Sequence, residues 1–238
     1  MKKVLAIGDS LIAGDYGASL LEYSKYVKKL EFKNRGANGE PVRGIVRKLK
    51  IYLNTEDTPD ILILDGGAND ILIPYMTEHH PKEWGPFFRK MFRYGSTPAE
   101  SDEELRDLIL AAINTAFEAG VKSVIFLTIP CLGEDPGQPL NLERERINQI
   151  IRETSSSYTG KGKLLLGDLG KVFDRKLMDL KSPSSWLFTS PSDMEKPCTA
   201  EELKDRNLAF TIDGVHLNTK GARISAGVLD EALEKILS

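Results

Sequence analysis

Val4-Leu5-Ala6-Ile7-Gly8-Asp9-Ser10-Leu11 is a short apolar run closed by a glycine, a carboxylate and a serine. An apolar run with no polar alternation suits a strand buried on both faces. Gly-Asp-Ser suits a tight strand-to-helix turn in which Asp9 or Ser10 caps the next helix. The same grammar recurs downstream. Glu31–Asn34 reads as a short, weak second strand and runs into Asn34-Arg35-Gly36-Ala37-Asn38-Gly39. Ile61–Leu64, entered through Pro59-Asp60, reads as a third and runs into Asp65-Gly66-Gly67-Ala68-Asn69-Asp70. Ser123–Ile129, closed by Pro130, is a fourth strand, and Leu164–Leu166 a fifth. Amphipathic segments between them predict helices over Leu20–Leu30, Val42–Leu53, Asp102–Ala119, Leu142–Tyr158 and Thr219–Leu237. Ser101 is the expected N-cap of the third of these, with Gly120 just past its end. Strands alternating with helices predict an α/β fold, a parallel sheet covered by helices.

The chain has 238 residues and a formal net charge of -3, which fits one α/β domain over residues 1–238 with a full core. Apolar residues make up 41%, an ordinary globular share that favours neither disorder nor a membrane class. With no excess of basic residues, there is no electrostatic reason to expect a nucleic-acid partner. No segment approaches the ~20 apolar residues of a membrane span. Met1-Lys2-Lys3 before Val4–Ile7 only faintly resembles a leader, because the apolar run is short and Asp9 ends it. A cytoplasmic location is the default expectation, with secretion open if a leader has been removed. Cys131 and Cys198 match no metal or redox spacing and read as free thiols.

Two stretches break the simple alternation. Residues 75–98 are rich in aromatics, and Phe87, Phe88, Met91 and Phe92 would share one face of a short helix. Such a segment suits a lid or wall over a substrate pocket, a flap packed on the core, or a contact between copies in a homo-oligomer. Residues 181–210, punctuated by Pro183, Pro191 and Pro197, form a long irregular connection leading to His216.

In an open parallel sheet the ligand crevice lies beyond the carboxyl ends of the strands. The three glycine- and Asn/Asp-rich segments after the first three strands are therefore expected on one rim. Alone, each has a plain explanation as a turn or helix cap. Asp213-Gly214-Val215-His216 adds to them, in a chain with only three histidines (His79, His80, His216). A carboxylate three residues before a histidine can reach Nδ1 on a turn, leaving Nε2 to take a proton from a serine. A helix-capping Asp beside an unrelated histidine explains that tetrapeptide equally well on its own. Taken together, Ser10 as nucleophile, His216 as base and Asp213 as orienter make an acyl-transfer set. The Ser10 and Gly39 backbone N–H groups and the Asn69 side chain would supply oxyanion donors.

These four blocks resemble those of the SGNH (GDSL-type) esterases and lipases. Gly8-Asp9-Ser10-Leu11 matches the nucleophile block, and Asn34 to Gly39 the N-x-G-x-x-G stretch. Gly67-Ala68-Asn69-Asp70 matches G-x-N-D, and Asp213 to His216 matches D-x-x-H, all in family order. The resemblance implies a three-layer α/β/α sandwich with a five-stranded parallel sheet, flavodoxin-like in topology. It also implies hydrolysis of a small-molecule ester or thioester through an acyl-enzyme, with no metal or other cofactor. Acetyl, short- or medium-chain acyl esters all fit the motifs. Glu40-Pro41, the acidic Asp65 and the long stretches at 75–98 and 181–210 depart from the family's pattern. No serine sits in G-x-S-x-G, so an α/β-hydrolase nucleophile elbow is not expected.

Two other readings stay open on the residues. Asp9, Asp70, Asp213 and His216 could gather as ligands of a metal-dependent phosphoesterase. Alternatively, the loops could cradle a phosphate in a non-catalytic flavodoxin-like binding module.

Overall fold

The computed structural model describes residues 1–195 and 200–238, so Pro197 and Cys198 lie outside the described residues. In chain order the elements are β1 (Lys3–Ile7), α1 (Ser10–Ala13), β2 (Glu31–Asn34), α2 (Val42–Thr55), β3 (Ile61–Leu64), α3 (Ala68–His79), α4 (Pro81–Phe92) and α5 (Asp102–Glu118). They continue with β4 (Ser123–Leu127), α6 (Pro139–Ser157), β5 (Lys163–Gly167), α7 (Leu169–Met178), α8 (Pro191–Glu195), α9 (Ala200–Arg206) and α10 (Thr219–Leu237). The five strands form one sheet in the order β2-β1-β3-β4-β5, every pairing parallel.

The strand sequences explain their places. β3 and β4 are buried at every position, and β1 at all but Lys3, as central parallel strands require. Partly exposed β2 and β5, which carry Glu31, Lys33 and Lys163, take the edges. Alternate side chains feed opposite faces. Leu5, Ile7, Leu62, Leu64, Val124 and Phe126 join the core formed with α2, α3, α5 and α6. Val4, Ala6, Ile61, Ile63, Ile125 and Leu127 join the core formed with α10 and Leu20, Leu21 and Leu169. The result is the three-layer sandwich with flavodoxin-like strand order. The chain winds from β1 to β2 on one side and continues from β3 on the other, so the crevice at their carboxyl ends is the topological switch point.

Two expectations need correction. Leu20–Leu30 is not a helix: Leu20–Tyr23 forms one 3₁₀ turn, and Ser24 then turns extended. The Ser24 hydroxyl donates to Asp230 Oδ1 at 2.5 Å, the Lys25 N–H donates to Asp230 Oδ2 at 3.0 Å, and the Tyr26 N–H donates to Ser24 Oγ at 3.1 Å. N–H groups that a helix would have bonded to its own carbonyls are thus taken by side chains, one of them on α10. The fourth strand ends at Leu127, not Ile129, because the Ile129 N–H leaves the sheet for Asn148 Oδ1 at 2.8 Å.

The two long stretches are built against each other. Trp84 of α4 stacks on Phe88, tilts against Phe188, and donates its indole N–H to the Thr189 carbonyl at 2.8 Å. Trp84 and Phe88 are buried in the core, while Phe87 and Phe92 stand 38% and 37% exposed at the surface of α4.

Candidate active site

Ser10 is the first residue of α1, directly after the switch-point strand. Asp9 caps that short helix, its carboxylate accepting the Leu11 N–H at 2.9 Å. The Asp9 N–H in turn donates to Asp65 Oδ1 at 2.9 Å, which gives the acidic Asp65 a structural task beneath the Ser10 turn. Asp9 and Asp65 are both buried. Burial raises the Asp9 carboxyl to about 6, against the pull of the Leu11 N–H and the nearby His216. Burial, with Asp9 as neighbour, holds Asp65 well above the ordinary carboxylate range.

The D-x-x-H block closes a tight turn over Ser10. Thr211 and Leu217 pair as an antiparallel bridge at its base, and Gly214 at its tip has a φ of 88° that glycine adopts without strain. Asp213 Oδ1 accepts the Val215 and His216 N–H groups at 3.0 and 2.7 Å. Its Oδ2 lies 2.5 Å from His216 Nδ1, and His216 Nε2 lies 2.9 Å from Ser10 Oγ. With Nδ1 donating to the carboxylate, Nε2 is an acceptor for the serine hydroxyl. The Tyr16 and Phe188 rings flank the imidazole, at centroid distances of 5.0 and 6.2 Å.

The second and third blocks bring Gly39 and Asn69 to the same pocket as Ser10 and His216. Gly39 has a φ of 72°, and the side chains of Met91 and Phe87 lie over it. Among the described residues, neither the Ser10 nor the Gly39 backbone N–H donates to a protein acceptor. The Asn69 carboxamide donates to Asp9 Oδ2 at 3.2 Å and to the Glu40 carbonyl at 3.3 Å. Asn34 stays outside the pocket as scaffold, donating to the Ile12 carbonyl at 2.7 Å and accepting the Gly36 N–H at 2.9 Å. Glu40, the other departure in these blocks, is buried and accepts from Ser96 Oγ at 2.5 Å and from Lys48.

The pocket encloses about 500 Å³ out to its open mouth. Its apolar wall comes from Leu72 and Met76 on α3, Trp84, Phe87 and Phe88 on α4, and Phe188, Met194 and Val215. The aromatic stretch was visible in sequence as a candidate wall. Leu72 and Met76 were missed because they read as ordinary core positions of a helix. Tyr16 and Phe188 lie in irregular segments and Met194 in the five-residue helix α8, none with a periodicity to mark them.

Asp9, Asp70, Asp213 and His216 do not assemble as a ligand set. Asp70 is spent on the Val42 and Ala99 N–H groups at 2.9 and 2.8 Å, and Asp213 on the turn and the imidazole. Among the described residues, no group of three His, Cys, Asp or Glu side chains could hold a metal ion. Cys131 is a buried free thiol, and burial pushes its titration far up. No helix among the described residues is long and apolar enough to cross a membrane.

Known proteins share this fold. The chain resembles an acetyl xylan esterase of solved structure (20% identity, 97% of this chain and 99% of that one, TM-score 0.65). It resembles a member of the lipolytic protein G-D-S-L family from Veillonella parvula (16% identity, 98% of each chain, TM-score 0.63). A catalytic mutant of an acetylxylan esterase from Geobacillus stearothermophilus is similar at 18% identity, over 98% of this chain and 93% of that one, with a TM-score of 0.55. At these identities the likeness is one of fold. No curated protein matches the chain in sequence. The family model described as GDSL-like Lipase/Acylhydrolase matches residues 4–228, so the chain belongs to that family and is a carboxylic ester hydrolase.

Proposed function

We propose that this hydrolase cleaves short-chain acyl esters, acetyl esters foremost, through an acyl-enzyme on Ser10. The Ser10 oxygen attacks the ester carbonyl while His216 Nε2 takes its proton, and Asp213 holds the imidazole in the required tautomer and stabilises its cation. The Ser10 and Gly39 N–H groups and the Asn69 carboxamide receive the oxyanion. His216 then hands its proton to the departing alcohol. In the second half, His216 draws a proton from water, the resulting hydroxide attacks the acyl carbonyl, and Ser10 leaves with the proton returned to it. The observation that carries this reading is the continuous line from Asp213 to Ser10, 2.5 Å on one side of the imidazole and 2.9 Å on the other.

The room beside Ser10 argues for the short acyl group. That room is bounded by the side chains of Trp84, Phe87, Phe88 and Phe188. The acetyl xylan esterases among the structural neighbours point the same way. The test is the intact mass after treatment with a fluorophosphonate, on the wild type and on Ser10→Ala. One adduct on the wild type, absent from the variant, together with loss of aryl acetate hydrolysis in the variant, is expected. A wild type that takes up no label, or an Ser10→Ala variant that hydrolyses acetate esters at the wild-type rate, overturns the reading.

A further inference from the structure

The Asp213–His216 turn stands on a buried carboxylate that none of the four motif blocks contains. Glu134, in the loop between β4 and α6, is fully buried. Its Oε2 accepts the Ala209 N–H at 2.5 Å, and its Oε1 accepts the Phe210 and Thr211 N–H groups, each at 2.7 Å. Oε1 also accepts the Thr211 hydroxyl at 2.8 Å. A buried carboxylate is costly unless its oxygens are filled, and here four donors fill them. All four belong to the segment that enters the catalytic turn.

That segment is the base on which both ends of the turn rest. Thr211 bridges Leu217, the Asn218 N–H donates to the Phe210 carbonyl at 2.9 Å, and the Ile212 N–H donates to the His216 carbonyl at 2.8 Å. The Thr211 hydroxyl also carries the clamp into the turn itself. Because its proton goes to Glu134, its lone pairs face the Gly214 N–H, which donates to it at 3.2 Å. A second tie runs from the Gly133 N–H to the Gly214 carbonyl at 2.7 Å. The loop bearing Glu134 is itself held by Asn141 of α6. Asn141 accepts the Leu132 N–H at 3.0 Å and donates to the Gly133 and Asp135 carbonyls at 3.1 and 2.9 Å.

We propose that Glu134 is a positioning residue of the ester hydrolysis: it orders the Thr211 hydroxyl as a donor and so sets the turn that holds Asp213 and His216 against Ser10. The inference rests on the triad reading above. A glutamine at 134 keeps one acceptor oxygen but turns an NH₂ group toward an N–H or the hydroxyl, setting donor against donor. Misplacing a catalytic group by about 1 Å can cost ~10²-fold in rate, whereas the greater part of the pocket wall comes from α3 and α4, outside the clamp. The effect therefore belongs in kcat and not in KM.

The experiment compares wild type with Glu134→Gln, Thr211→Val and Thr211→Ser in the full chain. Active sites are counted by fluorophosphonate titration, and kcat and KM are measured on an aryl acetate. The far-downfield proton resonance of the His216–Asp213 hydrogen bond is followed by NMR. Glu134→Gln and Thr211→Val are expected to lose about 10- to 100-fold in kcat per titrated site, with KM within about threefold and the resonance shifted upfield or broadened. Thr211→Ser, which keeps the hydroxyl, is expected to retain kcat within about threefold of wild type. If Glu134→Gln does not fold, Thr211→Val decides, since it leaves the three backbone bonds of the clamp in place. Wild-type kcat per titrated site and an unmoved resonance in a folded Thr211→Val protein overturn the proposal. Failure of the triad reading shows separately, as a wild type that takes up no fluorophosphonate.

Discussion

Both hydrogen bonds of the Asn69 carboxamide, at 3.2 and 3.3 Å, fall at or beyond the long end of the ordinary N–H···O range. Long bonds are weak and cheaply exchanged. An oxyanion forming beside Ser10 offers a shorter, charge-assisted bond, so the amide gains most from moving onto it as charge develops. That gain falls in the transition state and leaves the ester ground state nearly untouched. Replacing Asn69 by alanine should lower kcat by about 10²–10³ with little change in KM. Asn69→Asp should be worse, because it sets a second carboxylate beside Asp9 and opposite the developing charge. Steady-state kinetics on a soluble aryl acetate, normalised to titrated sites, checks both. A loss of kcat smaller than about threefold in Asn69→Ala would remove Asn69 from the oxyanion site.

At the scale of the element, the proposed reading makes helix α4 the part that limits substrate size. It lays Phe87 and Met91 over Gly39 and Phe87 and Phe88 along the pocket, while Trp84 anchors it to the segment at 188–189. Phe87 is the side chain to cut, because it lines the pocket yet is 38% exposed and contributes less to the core than buried Phe88. One methylene in an apolar pocket is worth about 1–3 kcal/mol of discrimination. Phe87→Ala should raise kcat/KM for hexanoate relative to acetate by at least about tenfold in a p-nitrophenyl ester series. An unchanged chain-length profile would place the acyl group elsewhere. This wall was legible only in part. The spacing of Phe87, Phe88, Met91 and Phe92 announced a helix with an apolar face, and the central strands were plain from their unbroken apolar runs. What could not be read locally was decided by partners remote in sequence. Asp230 undoes the helix expected after Leu20, Phe188 and Met194 complete the pocket from a stretch without apolar periodicity, and Glu134 carries no motif around it. The candidate site was more legible than its supports, because reactive groups at loop tips need fixed residue types, whereas many sequences can brace them.

Stability of the whole molecule should carry the mark of the two carboxyls beneath Ser10. Asp9 is raised to about 6 and Asp65 well above its ordinary value, both chiefly by burial. In the unfolded chain both would release their protons near pH 4. Between pH 4 and the raised values the folded protein therefore binds more protons than the unfolded chain. Stability must then fall as pH rises through that interval, opposite to the trend set by salt-bridged carboxylates. Above it, the fold holds ionised carboxylates in a site that disfavours their charge. Asp65→Asn removes one such charge while its Oδ1 can still accept the Asp9 N–H. At pH 8 the variant should melt higher than wild type, because it no longer holds that buried charge. As the pH falls and wild-type Asp65 takes up its proton, the difference should narrow. Scanning calorimetry of the two proteins across that range tests the account. An asparagine variant that melts lower than wild type at pH 8 would mean that the fold holds Asp65 ionised to its advantage, through a partner stronger than the Asp9 N–H.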